Sequence, residues 1–321
     1  MNILIYNSGG GLGDSIQLLN LLTSLKNKFP NSNLWYLGAH ENHFEGKLKD
    51  YNIKLNTLKL NLKYFGFRWR QFFLVKKKYN QVMSAKFDIV IDLQSKIRNT
   101  CILKRIPTKF FYSSTMNFAF CTKNLNFANT KNNYNNIIKN LEKIINTKIS
   151  IVQYDIKIIN KIYFDEALKL LPNDNYVGFS VTQGNEYRKK TWPIERFIYI
   201  ATQLSKQNKQ PVFFIEKNNN ELINKIKDQV SDALFPELNT TLSGPALVTA
   251  LSTRLSKAIS IDNGVMHMMS LANIPMIVLF GPTNSKKFAP KIDNINILDS
   301  KLNYNSEDIT KITVKDVLNL I

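Results

Sequence analysis

Residues 5–29, "IYNSGGGLGDSIQLLNLLTSLKNKF", set one carboxylate, Asp14, at the end of a glycine run and at the start of an apolar-periodic stretch. The offsets rule out two common glycine-rich phosphate loops. A P-loop needs Lys-Ser/Thr after its last glycine, but Gly13 is followed by Asp14-Ser15, and the dinucleotide fingerprint needs a third glycine where Asp14 stands. A carboxylate at the mouth of the loop repels phosphate, so the loop serves something other than an anion. Taken alone, Asp14 fits a cap on the following helix.

Three stretches in the second half suit a phosphorylated ligand instead. "TQGNEYRKKTWPIERF" gathers Arg188, Lys189 and Lys190 ahead of Trp192-Pro193. Its cations can grip a diphosphate, Gly184 leaves room for backbone approach, and Pro193 suits a first helical turn. "DNGVMHMMSLANIP" brings Asp262, Asn263, Gly264 and His267 to a strand end and helix start, where unpaired N–H groups receive a phosphate or a ribose hydroxyl. Taken alone, His267 suits a hydrogen-bonded core position better than a ligand role. "FGPTNSKKFAP" offers Thr283 in a turn after Gly281-Pro282.

Strand-like runs are expected at Ile3–Tyr6, Leu34–Leu37, Asp88–Leu93, Val177–Val181, Val212–Ile215, Ala258–Ile261 and Met276–Phe280. Helical patterns alternate with them at Ile16–Lys28, Pro193–Gln207, Asn219–Val230, Ala246–Leu255 and Met266–Ala272. That alternation predicts an α/β protein with parallel sheets, whose ligands bind beyond the carboxyl ends of the strands. The three ligand-suited stretches all follow expected strands. The rhythm breaks between Lys123 and Asn175, where Pro172 closes a helix-like run at Asp165–Leu171. Two doubly wound halves are expected, residues 1–157 and 158–321. The closing segment 306–321 has helical apolar spacing and can pack on either half.

The chain has 321 residues, 44% of them hydrophobic, enough for two cores, and no run nears the ~18 apolar residues of a membrane span. It opens on a strand-like run without a leader pattern, so a cytoplasmic location is expected. Cys101 and Cys121 form no CxxC pair and only three histidines accompany them, so free thiols are expected and no zinc site. A net charge of +19 calls for an anionic partner, although lysines spread over a surface are mostly just solvated. One cluster stands out: residues 59–79, "KLNLKYFGFRWRQFFLVKKKY", interleave cations with aromatic rings. Such a helix suits an anionic membrane surface or an acidic acceptor, or packs by its aromatic side with a wet basic face. No RNA-binding motif accompanies it.

Taken in order, "GLGDSI", "FDIVIDLQSKIRN", "RKKTWPIERF" and "DNGVMHMMSLANIPMIVLFGPT", with Phe29-Pro30 after the first helix, resemble the ADP-heptose:lipopolysaccharide heptosyltransferases, glycosyltransferase family 9. The resemblance implies a GT-B fold, two Rossmann-like doubly wound domains facing each other across a cleft. The first would bind acceptor, the second nucleotide sugar, and the last helix would cross back to the first. It implies that Asp14 is the general base of an inverting transfer and that Lys190 contacts donor phosphates. Asp262, Asn263, Gly264 and His267 would form the donor motif, with Gly184, Arg188, Thr283 and Glu221 beside it. Gly11, Gly13, Gln94, Lys96 and Arg98 would face the acceptor. No cofactor and no metal are implied, since no Asp-x-Asp pattern occurs and fixed cations suffice for the leaving group. The implied partners are ADP-heptose and an anionic lipopolysaccharide-core acceptor, at the inner face of the inner membrane, with no nucleic acid. Asn20, Asn263 and "TQGNE" depart from the family's usual proline, Thr or Ser, and Pro-Gly-Ala-like turn; the last two touch the donor pocket. A nucleotide-sugar epimerase or hydrolase of the same fold, and a basic nucleic-acid binder, are the competing readings.

Overall fold

A computed structural model of the chain describes residues 1–129, 134–184, 187 and 189–321. They form two compact units, Met1–Asp155 and Ile156–Ile321. In the first, β1 (Asn2–Tyr6), β2 (Asn33–Leu37), β3 (Asn56–Thr57), β4 (Phe87–Asp92) and β5 (Thr108–Ser113) lie in the order β3-β2-β1-β4-β5. In the second, β6 (Tyr176–Ser180), β7 (Gln210–Phe213), β8 (Leu255–Ile261), β9 (Met276–Phe280) and β10 (Ile295–Asp299) lie in the order β10-β9-β8-β6-β7. Every pairing is parallel. Runs such as "NILIY" and "MIVLF" form the central strands because helices cover both faces and bury nearly every residue.

The winding reverses between β1 and β4 in the first unit and between β6 and β8 in the second. At each reversal two neighbouring strands send their connections to opposite faces, which opens a crevice beyond their carboxyl ends. The stretches singled out for chemistry follow β1, β4, β6 and β8.

The helices of the first unit are α1 (Leu12–Ile16), α2 (Leu19–Lys28), α3 (Gln71–Val82), α4 (Ile97–Leu103) and α5 (Tyr134–Ile145). Those of the second include α6 (Lys161–Leu170), α7 (Ile194–Ser205), α8 (Asn220–Lys227), α9 (Pro245–Ser252) and α10 (Gly264–Ser270). The single helix expected over Ile16–Lys28 is two, divided where Leu18 N bonds Ser15 O in a tight turn. The expected basic-aromatic helix over 59–79 begins only at Gln71. Gly66, at φ +87°, turns the chain, and the Gln71 amide holds that turn by accepting from Gly66 N at 2.7 Å and donating to Lys63 O at 2.8 Å. No helix among the described residues is long and apolar enough to cross a membrane.

The closing segment packs in the core of the second unit. Ile309, Ile312 and Val317 are buried in one cluster with Trp192 and Phe197. The indole N–H of Trp192 donates to Ile312 O at 2.9 Å, and Arg196 donates to the carbonyls of Thr310 and Ile312. A Trp-Pro turn ahead of α7 thus secures the chain end. Ile312→Ala should lower unfolding stability by about 2–5 kcal/mol in a urea titration, while Leu302→Ala, at an exposed position, should change it by no more than about 0.5 kcal/mol.

Candidate active site

In the first unit the loop Asn7–Gly11 leaves β1 and enters α1, whose third residue is Asp14. The carboxylate is half-buried and makes no capping bond at the helix start among the described residues; the N-cap position is Gly11. Gly9 makes room for it, since a Cβ there would lie 2.7 Å from Asp14 Oδ2. Gly10 likewise makes room for the His40 ring, 2.5 Å from where a Cβ would stand, and His43 Nε2 lies 3.2 Å from Gly10 O. Two phenols register the Asp14 charge. Burial, then Asp14, pushes Tyr36 up to about 12, and the same two causes raise Tyr134.

A polar network ties this loop to the one after β4. Thr100 and Ser113 hydroxyls donate to Asp92 Oδ2 at 2.6 and 2.8 Å, and Gln94 N donates to Oδ1 at 2.9 Å. The Gln94 amide then donates to Asn7 Oδ1 at 3.1 Å, which also accepts from Gly9 N at 3.0 Å. Asp92 therefore braces the crevice through Gln94. Its burial drives its pKa up to about 6 against the lowering effect of those hydrogen bonds. Beyond the ends of β4 and β5 lies a cavity of about 360 Å³ lined by Asp92, Ser95, Tyr112, Phe118, Phe127 and Tyr134, among others. Aromatic faces beside hydroxyl and carboxyl groups suit a sugar ring.

In the second unit, Lys190 and Asp262 form a buried ion pair, Nζ to Oδ2 2.5 Å, joining the loop after β6 to the end of β8. Lys190 N donates to Gln183 Oε1 at 2.8 Å, and its neighbour Lys189 sits at φ +45°, a left-handed conformation that disfavours a side chain and here turns the chain toward the pair. Asn263 is the second tie. Its Oδ1 caps α10 by accepting from Met266 N at 2.8 Å, while Nδ2 donates to Ser180 Oγ at 2.7 Å and Thr182 O at 2.8 Å. Both its amide hydrogens are committed within the protein, so Asn263 shapes the crevice between β6 and β8.

Of the expected second-unit residues, Lys190 and Asp262 are thus bonded to each other, Asn263 bonds Ser180, Thr182 and Met266, and Gly264 and His267 follow on α10, where His267 is buried. Gly184 faces open space. Thr283, after β9, buries a hydroxyl with no hydrogen-bond partner among the described residues. Glu221 is exposed on the first turn of α8. Arg188 lies outside the described residues. Of the first-unit residues, Gln94 joins the Asp14 loop directly. Lys96 is exposed at the N-cap of α4, and Arg98 turns to donate from Nε to Gly66 O at 2.9 Å. The sequence reading missed Asn7, Tyr36, His40, Asp92 and Tyr134. Asp92 and His40 carried a signal, since each is a polar residue at or just past a strand end.

Two parallel five-stranded sheets, each with its polar residues gathered at a winding reversal, define the GT-B class of fold. The chain belongs to glycosyltransferase family 9 (heptosyltransferase), whose pattern it matches over residues 76–316, and it is a glycosyltransferase. The glycosyl transferase family 9 structure from Veillonella parvula DSM 2008 superposes with TM-score 0.71 at 20% identity, covering 99% of this chain and 95% of that one. E. coli heptosyltransferase WaaC with ADP-2-deoxy-2-fluoro heptose gives 0.67 at 16%, covering 99% and 98%. UDP-GlcNAc 2-epimerase from Methanocaldococcus jannaschii gives 0.52 at 13%, covering 99% and 91%. No curated protein matches the chain by sequence.

Asp262→Ala removes the counter-ion of a half-buried ammonium and should lower stability by about 1–3 kcal/mol in a denaturant titration. A second titration series concerns Asp92. Its folded pKa of about 6 is above the ordinary carboxylate value, so its contribution to stability is full below the unfolded pKa and is lost as pH rises through about 6. Asp92→Asn, which keeps an acceptor for Thr100 and Ser113, should flatten the fall of unfolding free energy across that interval.

Proposed function

We propose that the chain is an inverting, metal-independent glycosyltransferase that moves heptose from ADP-heptose to a lipopolysaccharide-core acceptor at the cytoplasmic face of a membrane. The observation that carries this reading is the Asp14 carboxylate, half-buried, engaged in no helix cap and standing in space that Gly9 leaves clear. The acceptor hydroxyl attacks the anomeric carbon of the donor sugar and its proton passes to the Asp14 carboxylate. The bond from that carbon to the nucleoside diphosphate breaks, and the electron pair leaves on the phosphate oxygen. One carboxylate is enough, because attack and departure occur on opposite faces in a single displacement.

In the second unit Lys190 serves the departing diphosphate. Asp262 holds its ammonium in place through its carboxylate and its backbone carbonyl, which leaves one of three donor positions for a phosphate oxygen. Thr283, whose buried hydroxyl has no hydrogen-bond partner among the described residues, gains one when the donor binds. The choice of ADP-heptose follows the family and the ADP sugar held by WaaC. The cavity beside Asp92 and Tyr134 is the acceptor's place in this reading.

Incubation with ADP-heptose and a Kdo-lipid A acceptor should release ADP and lengthen the acceptor. Release of a free or epimerised sugar without acceptor would instead support the hydrolase or epimerase reading. Asp14→Asn should slow transfer by about 10²–10⁴-fold with donor affinity largely kept, and an unchanged rate would return Asp14 to a structural role. Gly9→Ala should displace the same carboxylate, lowering kcat with little change in donor affinity measured by calorimetry.

A further inference from the structure

We infer that the loop 63–70 and the first turns of α3 form a docking surface for an anionic lipid bilayer. Tyr64, Phe67, Trp69, Phe73 and Leu74 are all exposed, Trp69 by 54% and Phe73 by 78%. Single exposed apolar residues are ordinary on any protein, but five large ones within eleven residues form a patch that calls for a partner. The segment that carries them has charge of one sign. Residues 51–87 contain nine lysines and arginines and not one aspartate or glutamate. None of these cations enters an ion pair among the described residues.

The outward display is built into the fold. Phe65 turns inward, edge-on to Tyr6 at 5.5 Å, and a Cβ at Gly66 would collide with the Tyr6 hydroxyl. Gln71 clamps the turn from within, and Arg98 fixes Gly66 O from α4. On α3, Val75 and Tyr79 are buried one turn apart, while Phe73, Leu74, Lys76 and Lys77 face solvent. Rings flanked by cations, on a rigid support, match the boundary of an anionic bilayer, where aromatic side chains enter the headgroup layer and ammonium and guanidinium groups meet lipid phosphates. A second copy of the chain is disfavoured as the occupant, since two such patches repel each other.

The patch is continuous with the Asp14 loop. The Tyr64 ring stands edge-on to His40 at 6.5 Å, and His40 occupies the space over Gly10. A bilayer seated on the patch therefore presents its anchored sugars next to Asp14. This last step rests on the transferase reading; the docking itself does not.

The test is cosedimentation with phosphatidylglycerol-containing vesicles and with pure phosphatidylcholine vesicles, at low and high salt. The chain should bind the first much more tightly, and salt should weaken it. Trp69→Ser with Phe73→Ser, and separately Arg68→Gln with Arg70→Gln, should each reduce binding by about 10-fold or more with the melting temperature unchanged. Lys286→Gln with Lys287→Gln, in the second unit, should not. Equal binding of all variants, no preference for the anionic vesicle, tighter binding to RNA, or a patch-dependent dimer would each overturn the proposal. With a bilayer-embedded acceptor the patch variants should raise KM, and with a water-soluble acceptor fragment they should not. If no acceptor is glycosylated at all, the transferase reading fails while vesicle binding still decides the docking.

Discussion

A parallel sheet that winds in both directions must part its connections somewhere, and the chain has one such parting in each unit. Between β1 and β4, and again between β6 and β8, neighbouring strands end without a shared covering loop, so polar backbone and side chains meet solvent there. Each gap is laced by side chains: Gln94 to Asn7 in the first unit, Asn263 to Ser180 and Thr182 in the second. These amides fix the loops that carry Asp14 and Lys190. The placement of both side chains follows from strand order, with the amide ties supplying the precision.

The two units divide the electrostatic work. The first holds carboxylates, Asp14 half-exposed beside two phenols and Asp92 buried under three hydrogen bonds. The second holds a cation whose buried counter-ion keeps it in place without consuming all its donors. In the proposed transfer, acid–base work on a hydroxyl falls to the former and stabilisation of a departing diphosphate to the latter. The same partition explains why a glycine run in the first unit need not bind phosphate: its missing side chains accommodate Asp14 and His40.

The central strands were legible because burial on both faces leaves an unbroken apolar run, as in "MIVLF". β3, of two residues, leaves too short a trace, and β10 alternates Asn and Asp with its apolar residues at a half-exposed edge. β5, "TKFFYS", hides its apolar core between polar ends beside an Asn- and Lys-rich stretch. At the site, Asp14, Lys190 and Asp262 could be found as charged residues at strand exits. Tyr134 could not, because it comes from a distant helix and only the fold sets its phenol within reach of Asp14's charge. The bonds that Asn263 makes to Ser180, Thr182 and Met266 were not legible either, since a sequence does not show which side chains an amide already bonds. The turn at Gly66 broke the helical spacing of 59–79 for the same kind of reason: Gln71, a polar residue, is buried as its clamp.

A single carboxylate acting on the attacking oxygen permits only one stereochemical course. The anomeric configuration of the glycoside formed from a nucleotide sugar, read by NMR coupling constants before any equilibration, tests this directly. Inversion at that carbon is the expected result. Retention would require a covalent or front-face route that Asp14 alone does not provide, and would contradict its role as the base.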